Sequence, residues 1–81
     1  MFGIMNYNGT TVLCHTFRGD DTFIMKRWDG SAVPVMRESQ FEIDKLLQLM
    51  WEVTHDYTLV VFEFTKEQEE NLVFKKLRRK G

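Results

Sequence analysis

One cysteine, Cys14, is present among 81 residues, so no disulfide can form within the chain. Small secreted scaffolds of this length ordinarily depend on such cross-links, so the sequence reads as a protein of a reducing, cytoplasmic compartment. A signal peptide is not expected, because residues 1–7 have neither a basic start nor a long apolar run. Long hydrophobic runs are missing throughout. The longest is Leu59–Phe62, against the ~20 residues that cross a bilayer, so no membrane partner is expected. Proline occurs once, at Pro34, and the five glycines are scattered. That excludes low-complexity linkers and a glycine-rich phosphate loop. Charge of one sign is not in excess either. The net charge is −1 and the isoelectric point about 6.1, unlike a dedicated nucleic-acid-binding domain.

What is present is a generous apolar content, 43% hydrophobic and 14% aromatic, enough for one folded domain spanning residues 1–81 and too much for disorder. Turn signals divide the first half. Asn8-Gly9 and Asp29-Gly30 suit two-residue type I′ hairpins. Arg18-Gly19-Asp20-Asp21 suits a longer turn. The tripeptides Asn8-Gly9-Thr10 and Arg18-Gly19-Asp20 are therefore turn chemistry rather than a glycosylation acceptor or an adhesion motif. Between the turns lie "MFGIMNY", "TTVLCHTF", "TFIMKRW" and "SAVPVM", rich in β-branched and aromatic residues.

The fold expected is α+β: a four-stranded antiparallel β-meander, a helix, a fifth antiparallel strand and a C-terminal helix. The first turn pairs Met5 with Val12 and Gly3 with Cys14. A four-residue loop at 18–21 pairs Cys14 with Met25. This puts Trp28, Ile24 and Phe17 on one face with Phe2, Ile4, Leu13, His15, Val33 and Val35, and Phe23 and Met25 on the other with Met5, Tyr7, Val12, Cys14 and Met36. Both faces are then apolar, so something must cover the second one.

Ser39 with Glu42 forms a capping box for the first helix, whose buried stripe is Ile43, Leu46, Leu47, Met50, Val53 and Thr54. "YTLVVFEF", residues 57–64, is apolar on both alternations and reads as a strand antiparallel to the first. The strand order is 5-1-2-3-4, with Pro34 tolerated on an edge. That order leaves the fifth strand also at an edge, where barrel closure, the terminal helix or a second chain would have to pair with it. Thr65 and Gln68 make a second capping box, and Val73, Phe74 and Leu77 a short apolar patch.

Chemistry is sparse. Cys14 and His15 are strand neighbours and point to opposite faces, so they cannot share a metal with His55. Cys14 reads as a small core hydrophobe, not a nucleophile. His55 closes the first helix, and Glu63 is the acid most open to tuning. No enzymatic activity, cofactor or metal is expected, a minor enzyme using His55 or Glu63 being the remote alternative.

The clearest functional signal is charge asymmetry. Residues 1–65 carry five bases and nine acids, net −4, and residues 66–81 carry six bases and three acids, net +3. Lys75, Lys76, Arg78, Arg79 and Lys80 complement the C-terminal end of a helix dipole. They also form a phosphate-contacting patch for RNA or DNA, the alternative reading. The string Lys75–Arg78 fits a simple nuclear-import pattern, though such strings arise often by chance. The aromatics Phe17, Trp28 and Trp51, with Phe2, exceed what one small core easily hides and suit anchors for a protein partner. The sequence therefore reads as a small non-enzymatic binding module, an adaptor or inhibitor. Its partner is a second copy in a homodimer or a larger, nucleic-acid-processing enzyme. A viral or mobile-element inhibitor fits that description.

Overall fold

The computed structural model describes residues 1–15, 23–28 and 33–70. They form a small α+β fold in which helix α1 (Gln40–Thr54) lies against an antiparallel sheet of four strands: β1 (Phe2–Met5), β2 (Thr11–His15), β3 (Phe23–Arg27) and β4 (Val60–Glu63). The sheet order is β3-β2-β1-β4, so the first strand is central and pairs with the last. The expected antiparallel pairing of residues 57–64 with the N-terminal strand is present, with Gly3 opposite Phe62 and Ile4 opposite Val61.

Met5 lies opposite Val12 as expected, but the expected pairing of Gly3 with Cys14 is absent, Cys14 bridging to Pro34 instead, and the turn is not the expected two-residue type. Type I′ needs positive φ at both central residues, and here Gly9 has a φ of 71° while Asn8 does not share it. Instead a loop from Tyr7 to Thr10 is closed by Asn6. Its N–H donates to the Thr11 carbonyl (3.1 Å), and its carbonyl accepts from the Gly9 N–H (2.9 Å). Its side-chain Oδ1 also accepts from the Thr11 N–H (3.0 Å). The wider loop has the same centre as the narrow one, which is why the register survives.

The second register differs by one residue. Leu13, not Cys14, faces Met25, and His15 faces Phe23. A one-residue slip moves a whole strand to the other face. Phe23 and Met25 therefore lie on the α1 side, and Ile24, Lys26 and Trp28 on the far side, the reverse of the expected arrangement for β3. The odd number of residues between His15 and Phe23 is what a four-residue loop could not accommodate.

The expected fourth strand is also corrected. Among the described residues the sheet has four strands, and residues 33–37 make two isolated bridges, Cys14 with Pro34 and Phe2 with Arg37. The segment fills the gap where β1 and β2 splay apart. His15 N–H donates to Val33 (3.2 Å), Val35 N–H to Leu13 (2.9 Å), and Phe2 and Arg37 exchange a pair of bonds (2.7 and 3.0 Å). Pro34 is thus buried inside the sheet layer rather than at an edge. The ladder tolerates it because its neighbours Val33 and Val35 make the bonds to β2.

Ser39 is the N-cap of α1, but its side chain makes no capping bond, so the expected box with Glu42 does not form. The buried face is Ile43, Leu47 and Met50, with Leu46 half-buried beside them. Val53 and Thr54 are exposed, contrary to the expected stripe. The helix stops at Thr54, where His55 takes the left-handed conformation (φ 56°) and donates its N–H to the Trp51 carbonyl. The core between helix and sheet is Ile4, Leu13, Val35, Ile43, Leu47, Met50 and Leu59, flanked by Phe2, Phe23, Met25, Leu46, Trp51 and Val61.

The second capping box is formed as read. Thr65 N–H donates to Gln68 Oε1 (2.9 Å), and Gln68 N–H donates to Thr65 Oγ1 (3.1 Å). It opens a helical stretch over residues 66–70. Phe17, the turns at 18–21 and 29–30, the patch of Val73, Phe74 and Leu77, and the basic residues Lys75, Lys76, Arg78, Arg79 and Lys80 lie outside the described residues. No helix among the described residues is long and apolar enough to cross a membrane.

Candidate interaction surface

The pairing registers put Gly3, Met5, Val12, Cys14, Ile24, Lys26 and Phe62 on the sheet face away from α1. Trp28 and Phe64 continue that face, because each extends its ladder by one bond: Trp28 N–H to the Thr10 carbonyl (3.0 Å) and Phe64 N–H to the Met1 carbonyl (2.8 Å). Three rings gather there. Phe62 and Phe64 meet at 4.5 Å between centroids, and Trp28 contacts both, at 6.1 Å edge-on and 5.9 Å tilted. These spacings and tilts are those that aromatic quadrupoles favour.

Gly3 makes the arrangement possible. A Cβ there would lie 2.7 Å from the Phe64 ring and 2.8 Å from the Phe62 ring. Glycine inside a strand commonly marks such a close approach. The rings rest on bare backbone, and the floor around them is closed: Val12, Cys14 and Phe64 are buried. Trp28 is not; 37% of its surface stays exposed.

Beside Trp28 the face holds a cleft of about 150 Å³, lined by Met5, Gly9, Thr11, Val12, Trp28, Phe62 and Gln68. Ligand pockets for small molecules generally span about 300–1,000 Å³, whereas a space of this size accepts a single ring or branched side chain. Its lining is mostly apolar, with Thr11 and Gln68 supplying polar atoms. Gln68 is held at the rim by its reciprocal bonds to Thr65.

Cys14, His15 and Glu63 do not line the cleft. Cys14 is buried, with its thiol 3.5 Å from the Val12 carbonyl. His15 points to the α1 side and packs against the Phe23 ring at 5.3 Å. Glu63 is exposed at the end of β4. Among the described residues, no three His, Cys, Asp or Glu side chains converge as a metal site would require. Asp56 has a carboxyl held below the usual range, because Thr58 donates to it from its hydroxyl and from its N–H. That carboxyl organises the exposed turn after α1 and does not line the cleft.

The two tryptophans expected as anchors are not brought together. Trp51 is half-buried on the α1 side, where its indole N–H donates to the Leu59 carbonyl (3.0 Å) and its ring lies 6.2 Å from Tyr57. The sequence places Met5 on this outer face but does not by itself mark Gly3, Phe62, Phe64 and Gln68 as forming it. The signal was there in Gly3 facing the Phe62–Phe64 alternation, once β1 and β4 are paired. A second apolar row, Phe41, Leu49 and Val53, is exposed along α1, and Lys45 lies over the Phe41 ring at 4.5 Å.

No protein-family model, curated protein or solved structure matches this chain.

Proposed function

We propose that this protein is a small non-enzymatic binding module, an adaptor or inhibitor, that grips a protein partner through the aromatic sheet face. One apolar side chain of the partner enters the cleft beside Trp28, and the exposed part of the indole covers it. The observation that supports this reading is the combination of a rigid aromatic floor over Gly3 with a tryptophan left 37% exposed above it. Binding energy at protein interfaces concentrates on few such residues, tryptophan foremost. The small cleft argues for a side chain as its occupant rather than a metabolite. The partner class proposed is a larger enzyme that processes nucleic acid, and the basic C-terminal charges would steer encounter with an acidic surface on it.

The test is affinity capture from the native cell with and without nuclease, using the unmodified chain and Trp28→Ala side by side. A protein that resists nuclease and is lost with Trp28→Ala supports the reading, provided the variant melts within a few degrees of the unmodified chain. A variant that fails to fold instead assigns Trp28 to the core.

The charge split between residues 1–65 and 66–81 favours a second reading, direct RNA or DNA binding through Lys75, Lys76, Arg78, Arg79 and Lys80. Loss of all captured partners on nuclease treatment would replace the first reading with this one.

A further inference from the structure

Among the described residues β4 is an edge strand, yet its residues Val60, Val61 and Phe62 are apolar on both alternations. Its free backbone groups can be assigned from the ladder. Phe64 N–H donates to Met1 on the β1 side, and Phe2 exchanges its bonds with Arg37 on the other side of β1. Odd-numbered residues of β1 therefore bond toward β4. The bonding pairs across β1–β4 are Gly3 with Phe62 and Met5 with Val60, and the intervening pairs do not bond to each other. Val61 and Glu63 consequently direct their N–H and C=O groups outward, away from the sheet.

This outward edge is short and closed at both ends. Toward the start, the Leu59 carbonyl accepts from the Trp51 indole. Toward the end, Thr65 is occupied by its bonds to Gln68 and Glu69. Among the described residues, the opening within β4 thus comprises two donors and two acceptors, on Val61 and Glu63. That set is complementary to itself. An antiparallel copy placed with Phe62 on a two-fold axis sets Val61 opposite Glu63 of the second copy and Glu63 opposite its Val61. All four groups on each chain are then satisfied. Other two-fold registers use the opening less well: centring on Val61 sets Glu63 against the capped Leu59, and centring on Glu63 stacks like charges.

We propose that β4 is a homodimer interface, in which two copies pair edge to edge about Phe62 and join their four-stranded sheets into one of eight. The partner of this surface is a second copy of the chain. The two Phe62 rings then meet at a non-bonded pair on the aromatic face, where Cα atoms approach to about 4.5 Å. The two Trp28–Phe62–Phe64 clusters become one continuous surface. This assignment goes beyond the binding role of Trp28 and does not depend on it.

Sedimentation at increasing concentration should show a species of twice 9.7 kDa. Amide hydrogen exchange should show Val61 and Glu63 protected in that species and becoming fast on dilution, while Phe62 stays slow in both states. Glu63→Pro removes one outward donor without touching the β1–β4 bonds, and proline is compatible with an edge position of this kind. It should yield a folded monomer. If Glu63→Pro fails to fold, the exchange measurement on the unmodified chain decides alone. A monomer at 100-fold above micromolar concentration, or a dimer in which Val61 and Glu63 exchange freely, overturns the proposal.

Discussion

Trp28 follows β3 and Phe64 follows β4, the two opposite edges of the sheet, yet their ring centroids are 5.9 Å apart. Three inter-strand spacings of about 4.8 Å would separate those edges by some 14 Å in a flat sheet. Large side chains leaning inward and a curled sheet close the distance, and both need a gap in the side-chain layer between them. Gly3 provides it.

Gly3→Ala should therefore be costly although it adds one methyl group. The added carbon overlaps two rings packed against each other, and overpacking of this kind costs about 1–3 kcal/mol. Urea unfolding measures the loss, and Trp28 fluorescence should shift as the rings are pushed apart. An unchanged midpoint would mean that the rings move aside freely.

Trp51→Phe tests whether that residue serves the fold. It keeps most of the ring but removes the donor to Leu59, whose residue is 1% exposed. Leaving a buried carbonyl unpaired costs about 1–3 kcal/mol. Stability should fall by that order while capture of a partner through Trp28 persists. Loss of capture at unchanged stability would instead make Trp51 an anchor.

His55 adopts a left-handed conformation that costs a non-glycine residue roughly 1–2 kcal/mol. His55→Gly should raise the melting temperature, because glycine is the residue helices favour at this position. It should also leave binding intact, since His55 does not line the cleft. A fall in stability would show that the imidazole makes a contact worth more than the relief of strain.

Asp56 sets the direction of one pH dependence. Its folded carboxyl titrates below its ordinary range, because the Thr58 hydroxyl and N–H bond to the charged form. A depressed carboxylate contributes stability above its unfolded pKa and loses it as pH falls through the folded value. The turn should therefore loosen below about pH 4. In an NMR titration, Thr58→Ala should move the Asp56 midpoint back upward. An unmoved midpoint would remove the hydroxyl as the main cause.

Arg78, Arg79 and Lys80 changed together to Gln should leave a folded protein. If the basic end steers encounter with an acidic partner surface, association slows and its salt slope becomes shallower, with dissociation little changed. If the unmodified chain binds RNA or DNA without sequence preference at ~150 mM salt and the variant does not, these residues are a phosphate-binding element.

The sequence disclosed the elements better than their facing. Asn8-Gly9 centred the first hairpin correctly, since loops of two and four residues share one midpoint. Nothing comparable centred β3, and a single residue decided whether Trp28 joined the helix side or the open side. Thr65 and Gln68 were legible because a reciprocal cap is local. Ser39 carries the same pattern without forming its bond, so the motif marked a helix start but not its mechanism. Pro34 misled because proline in a strand suggests an edge, whereas here it fills a gap between two splayed strands. Val53 matched the helical period but lies beyond the last turn that the sheet covers. Gly3 carries no local signal, because its meaning depends on Phe62, 59 positions along the chain.

That last separation bears on how the chain folds. β1 is the central strand, but one of its two neighbours is β4, and the bridging residues 33–37 occupy part of its other side. A nascent chain can close the Asn6–Thr11 hairpin early, yet β1 stays half-paired until residues 60–63 have been made. Long-range closure of this kind is slow relative to local contacts. The aromatic face cannot exist before it, because Phe62 lies in β4 and Phe64 directly follows it. Synthesis therefore completes the aromatic face late, and a chain halted before Phe64 has Trp28 and Gly3 but lacks the rings that join them.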